Sequence, residues 1–74
     1  MSILFSLSCS GKSTWPELLG VQGEVAEETI ERENTSVDAV IVLEGSVVTP
    51  DIRCDRVRVW VDENGIVTRI PTVG

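Results

Sequence analysis

The sequence predicts an α+β fold: one α-helix packed on a small mixed parallel/antiparallel sheet, with one long exposed loop. Three observations carry that prediction. Apolar residues recur at helical spacing between Glu24 and Asn34. An unbroken apolar run, Ala39-Val40-Ile41-Val42-Leu43, reads as a strand. A strictly alternating run, Arg56 to Asp62, precedes the turn pair Asn64-Gly65. With 74 residues the chain has room for one small domain. We place that domain at residues 11–74, behind a mobile tail over residues 1–10.

Taken in order, the first segment mixes Gly, Ser and Pro with a few anchors. Trp15 precedes Pro16 and is therefore held extended. Trp15 and Leu18 are expected to cap one end of the core, with turns at Gly20 and Gly23. In the helix, Val25, Ala26, Thr29 and Ile30 form one stripe. Glu24, Glu27, Glu28 and Glu31 fall opposite and read as a solvated face. The early glutamates suit the positive end of the helix dipole. Glu28 and Arg32 are spaced for an i, i+4 ion pair.

Asp38 opens the first strand. Its continuous apolar run predicts cover on both faces and a parallel neighbour. In the second strand the valines point one way and Arg56, Arg58 and Trp60 the other. Ile66 to Ile70 reads as the return strand of a hairpin, ended or confined to an edge by Pro71.

Composition narrows the function. Twelve acidic residues against six basic ones leave a net charge of −6. That disfavours a nucleic-acid partner, which requires a basic face, and supplies no polybasic patch for a membrane surface. Histidine is absent, which removes the commonest general base and metal ligand. Neither an enzyme, a metal site nor a cofactor is expected. Cys9 and Cys54 are either one disulfide or two separate buried thiols. A disulfide closing so long a loop would contribute about 4 kcal/mol in the loop-entropy model. It would favour an oxidising setting, extracellular or vacuolar. The apolar run Ile3-Leu4-Phe5-Ser6-Leu7 lacks the basic flank of a complete signal peptide.

The segment from Glu44 to Asp55 is long, has no helical period and is too apolar for a flexible linker. It is either a plain crossover between parallel strands or a functional loop. Arg56 and Arg58 share one strand face, so both can point under it. Guanidinium groups there could hold Thr49 and Asp51, either side of Pro50, by charge-assisted hydrogen bonds. The alternative is two ordinary exposed strand positions.

Four stretches together resemble the potato inhibitor I family of serine-protease inhibitors: residues 11–18 (GKSTWPEL), 39–49 (AVIVLEGSVVT), 53–62 (RCDRVRVWVD) and 67–74 (VTRIPTVG). The resemblance implies a wedge-shaped domain with parallel first and second strands and a protease-binding loop over residues 45–56. It implies a reactive bond at Pro50–Asp51, flanked by Val47, Val48, Thr49, Ile52 and Arg53. It implies bracing of the loop by Arg56 and Arg58, with Gly74 close by, and a Cys9–Cys54 disulfide. The implied partner is a serine protease, met by a monomer, and the implied role is plant defence.

Pro50 departs from the family pattern, in which an open-chain residue stands at the primary specificity position. A subtilisin-like or elastase-like target is therefore expected ahead of trypsin. The alternative is a binding or storage module of the same fold with weak or lost inhibition.

Overall fold

The structure, a computed structural model, describes residues 9–74. Its elements are a single 3₁₀ turn at Pro16–Leu18, helix α1 (Gly23–Glu33), and strands β1 (Asp38–Leu43), β2 (Arg56–Val61) and β3 (Thr72–Val73). The sheet order is β1-β2-β3. β1 and β2 are parallel, in register from Asp38 opposite Arg56 to Leu43 opposite Val61. β3 runs antiparallel to β2. The predicted α+β architecture is the one observed.

The core follows from alternation in β2. Val57, Val59 and Val61 are buried, while Arg56, Arg58 and Trp60 are only partly covered on the other face. The valine face packs with Ala26 and Ile30 of α1 and with Trp15, Leu18, Val37, Ala39 and Val67. Trp15 is fully buried, and its indole N–H donates to Glu33 at 2.9 Å, so the ring is buried without an orphaned donor. Its main-chain N–H donates to Pro71 O at 2.9 Å, tying the start of the domain to its end.

Several expectations require correction. The helix runs one residue earlier than expected, and its buried positions are Gly23, Ala26 and Ile30. Val25, assigned to the stripe, is 52% exposed. The true stripe is i, i+3, i+7, and Val25 lies one helical step outside it. Gly23 is not a turn; it opens α1 where a Cβ would lie 2.8 Å from Val61 Cγ1, so the helix meets β2 there on bare backbone. No Glu28–Arg32 pair occurs among the ion pairs of the described residues. The helix glutamates are also not all free. Glu31 accepts from the Ala39 N–H at 2.9 Å.

β1 is not covered on both faces. It is an edge strand, with Val40, Ile41 and Leu43 all at least 40% exposed. A continuous apolar run says that a strand is apolar; it does not say how many layers flank it. The run Ile66–Ile70 is not a strand but makes two isolated bridges, Gln22–Ile66 and Val61–Val67. The turn before it forms as expected, with Gly65 at φ +80° and the Asp62 carboxylate accepting from the Asn64 and Ile66 N–H groups. Pro71 then ends this segment, and ladder pairing with β2 as a strand begins only at Thr72.

Of the tail expected over residues 1–10, residues 1–8 lie outside the described residues. Cys9 and Ser10 are held: Cys9 is bonded to Cys54, and Ser10 O accepts from Asn34 Nδ2 at 3.0 Å. The buried Asn34 side chain also donates to Lys12 O, which fixes the start of the domain against the end of α1. No helix among the described residues is long and apolar enough to cross a membrane.

The revised stripe has a direct test in urea denaturation. Ile30→Ala should cost about 2–5 kcal/mol, as for other buried aliphatic truncations. Val25→Ala should stay within about 0.5 kcal/mol. Equal losses at the two positions would restore the original stripe.

Candidate functional site

Parallel pairing sends the chain from the far end of β1 back to the near end of β2. The return path, residues 44–55, crosses the polar face of the sheet as an arch. It is exposed along its length: Val47 is 99% and Ile52 82% exposed, and Thr49, Pro50 and Asp51 lie between them at the surface. The arch descends as β2 ascends. Successive outward side chains of β2 therefore meet successive points of the arch in reverse order.

Arg56 lies under Asp51. Its Nη2 donates to the Asp51 main-chain oxygen at 2.6 Å and its Nη1 reaches Asp51 Oδ2 at 3.4 Å. Its Nε donates to the Gly74 main-chain oxygen at 2.8 Å, and the side chain is only 14% exposed. The C-terminus thus orients the guanidinium whose other edge holds the arch. Arg58 lies under Thr49, and its Nη2 donates to both the main-chain oxygen and Oγ1 of Thr49, each at 3.0 Å. Pro50 sits between these two anchor points. The Asp51 carboxyl is held below the usual carboxylate range, first by hydrogen bonding from the Thr49 side chain and then by the charges of Arg56 and Arg58.

The descending limb has its own restraint. Cys54 is joined to Cys9, with Cα atoms 5.1 Å apart. Of the two cysteine readings left open by composition, the disulfide is the one observed. Arg53, named with the residues flanking the reactive bond, turns back onto Asp55 with both Nε (2.9 Å) and Nη2 (2.8 Å). It is still more than half exposed.

The ascending limb is held by residues that sequence reasoning missed. Glu44 accepts from Arg69 Nε at 2.8 Å and Nη2 at 2.9 Å, and from Thr68 Oγ1 at 2.6 Å. The Arg69 guanidinium lies 4.0 Å over the Trp60 ring. The Glu44 carboxyl is held below its ordinary value by the Arg69 hydrogen bonds first and Thr68 second. One signal was present: Trp60 shares the outward face of β2 with Arg56 and Arg58. Nothing in the sequence indicated that Arg69 would fold back over it.

A shallow hollow of about 200 Å³ lies on the same face, lined by Arg58, Trp60, Arg69, Ile70, Thr72 and Gly74. No group of His, Cys, Asp or Glu among the described residues is arranged to hold a metal ion. The sequence-named residues Thr49, Asp51, Arg56, Arg58 and Gly74 form one hydrogen-bonded cluster. Val47, Val48, Pro50 and Ile52 stand outside it on the arch.

The family model for the potato inhibitor I family matches residues 8–74. The "Glu S.griseus protease inhibitor" of Momordica charantia is 61% identical over 66 residues, covering 89% of this chain and 97% of that protein. The "Inhibitor of trypsin and hageman factor" of Cucurbita maxima is 55% identical over 67 residues, covering 90% and 98%. The crystal structure of bitter gourd trypsin inhibitor superposes with a TM-score of 0.88 at 61% identity, covering 89% of this chain and 97% of that one.

The electrostatics of the cluster are open to titration. Because the Asp51 pKa is depressed, the carboxylate form that holds the arch is fully populated above the free-carboxyl value of 3.8 and is lost only as pH falls through the lower folded value. The Asp51 carboxyl carbon, followed by NMR, should titrate below 3.8. Thr49→Val should move that midpoint up more than Arg58→Ala does. A midpoint at or above the free value in the parent protein would contradict the arrangement.

Proposed function

The chain belongs to the potato inhibitor I family and is a serine-protease inhibitor, not an enzyme; from that membership we propose that residues 45–56 are the inhibitory loop and Pro50–Asp51 its reactive bond. One observation carries the reading. The exposed Pro50 sits between two residues, Thr49 and Asp51, that are each hydrogen-bonded to an arginine of the strand below. A segment held extended and outward in this way enters a protease cleft as a substrate does. It brings little ordering cost, where each newly immobilised side chain would otherwise cost about 0.5–1.5 kcal/mol.

The same contacts account for slow cleavage. The protease serine attacks the Pro50 carbonyl, the bond to the Asp51 nitrogen breaks, and that nitrogen leaves as an amine carrying the proton relayed by the enzyme. In an ordinary substrate the amine diffuses away and water takes its place. Here Arg56 and the Cys9–Cys54 bridge keep the Asp51 side of the break in position. The amine then attacks the acyl carbon again, expels the serine, and restores the peptide bond before water acts.

Val47 and Ile52 are apolar side chains presented almost wholly to solvent on a restrained backbone. Apolar subsites on either side of the reactive bond are what they fit. Pro50 offers a short ring and no N–H, so a deep pocket built for a long basic or aromatic side chain is poorly filled. One absent enzyme hydrogen bond would cost roughly 0.5–1.5 kcal/mol. Relatives of this fold are named for different proteases, which supports reading the target from the reactive position rather than from the scaffold. A subtilisin-like or elastase-like protease fits Val47, Pro50 and Ile52 better than trypsin. The poor donor at position 50 also favours a second reading, a module of this fold whose inhibition is weak.

Titration against subtilisin, elastase, trypsin and chymotrypsin separates the two readings. Tight inhibition of subtilisin or elastase supports the first. Rapid cleavage after Pro50 by all four, or no binding, supports the second. On an intact scaffold Pro50→Leu should gain chymotrypsin inhibition and Pro50→Lys trypsin inhibition. Arg56→Ala and Arg58→Ala should each speed cleavage by the inhibited protease about tenfold or more, since each removes a charge-assisted bond and tenfold corresponds to about 1.4 kcal/mol. Unchanged cleavage in both variants would remove the bracing role.

A further inference from the structure

We infer that Glu44, Arg69, Trp60 and Thr68 form a third brace, which positions the ascending limb of the loop. The inference rests on the reading of Thr49-Pro50-Asp51 as the inhibitory segment. Arg56 and Arg58 hold the loop at Asp51 and Thr49, and Cys54 restrains the far limb. Without a further contact, residues 45–48 would be anchored only by the turn at Gly45, where φ is +92° and the Ser46 N–H donates to Leu43 O at 3.0 Å.

The third contact sits at the base of that turn. Outward positions on β2 recur every second residue, and Trp60 is the next after Arg56 and Arg58. Among the described residues, no side-chain hydrogen bond joins Trp60 to the arch. Its ring instead supports the Arg69 guanidinium from one side, while both oxygens of Glu44 bind that guanidinium along its edge. The Thr68 hydroxyl adds a third donor to the same carboxylate at 2.6 Å, and the Thr68 N–H donates to Trp60 O at 2.9 Å. The Glu44 N–H donates to Val61 O at 2.8 Å, so Glu44 is fixed through its backbone as well as its side chain.

Isolated surface ion pairs contribute little, because two long side chains must be ordered against solvent screening. This one differs in geometry. The pairing is bidentate, the planar cation is already oriented by stacking, and a hydroxyl completes the carboxylate. The effect on global stability is small, since the far side of Arg69 is open to water. The effect on the loop is larger, since Glu44 is the first central residue of the Leu43–Ser46 turn that launches the arch. These are positioning residues: each acts through the direction in which Gly45 to Val48 leave the sheet.

The test uses the full chain and three variants: Arg69→Ala, Arg69→Lys and Glu44→Gln. Backbone ¹⁵N relaxation of the free protein should show a rise in fast motion at residues 45–48 in Arg69→Ala, with Asp51 and Cys54 unchanged. Arg69→Lys keeps the charge but loses the bidentate, stacked geometry, and should resemble Arg69→Ala rather than the parent. With subtilisin as probe, cleavage of Arg69→Ala should be about three- to fivefold faster, in keeping with the loss of one well-formed ion pair. A fall in melting temperature with unchanged relaxation at 45–48 would make the cluster merely structural and overturn the inference. If the parent protein fails to inhibit subtilisin and elastase, the loop assignment falls, while the relaxation data still decide whether Arg69 orders residues 45–48.

Discussion

Parallel pairing of β1 with β2 is the constraint from which the rest of the molecule follows. Two parallel strands cannot be joined by a tight turn; the chain has to travel back along the length of the strand it has just made. In most domains a helix covers that return. Here twelve residues, 44–55, do so without regular structure, because the sheet is small and its helix is already committed to the valine face. A crossover and a functional loop were alternative readings of this segment. In the structure the segment is an exposed crossover braced from below, and its exposure is a consequence of the strand order.

An unstructured arch over a sheet would ordinarily be mobile. This one is tied down because β2 serves two layers at once. Val57, Val59 and Val61 bury themselves against α1, and that burial fixes the strand's rotation. Once the rotation is fixed, Arg56, Arg58 and Trp60 have no freedom over which side they occupy. The hydrophobic core thereby aims the guanidinium groups, and the guanidinium groups aim the loop. The polar face needs no core of its own, since its contacts are charge-assisted hydrogen bonds to main-chain and side-chain oxygens that would otherwise face water.

Segments near both ends of the described residues tie into the sheet and the arch. Gly74 O accepts from Arg56, Cys9 is bonded to Cys54, and the main chain at Ser13 accepts from Val73. A domain of this size has little apolar area to bury, and covalent and terminal contacts offset that shortage. One of them, the Cys9–Cys54 bond, falls on the descending limb of the arch, and another, from Arg56 to Gly74, orients the side chain that holds Asp51.

Local pattern was enough to read the helix, the two main strands, the Asn64-Gly65 turn and the shared outward face of Arg56 and Arg58. Each depends on neighbours within a few positions, so periodicity and turn chemistry suffice. The family resemblance implied a reactive position at Pro50–Asp51 and a Cys9–Cys54 disulfide, of which the disulfide is present in the structure. What escaped was everything set by layers and by distant partners. The apolar run of β1 could not announce that it lies on an edge, Val25 could not be separated from Ala26 by hydrophobicity alone, and Ile66 to Ile70 looked like a strand although β2 finds its partner in Thr72 and Val73. Glu44 and Arg69 are 25 positions apart, and no local rule relates them. Amino-acid order determines which way each side chain points along its own strand or helix; only the packed molecule decides what stands opposite, because that depends on how separately formed elements bury their apolar faces together.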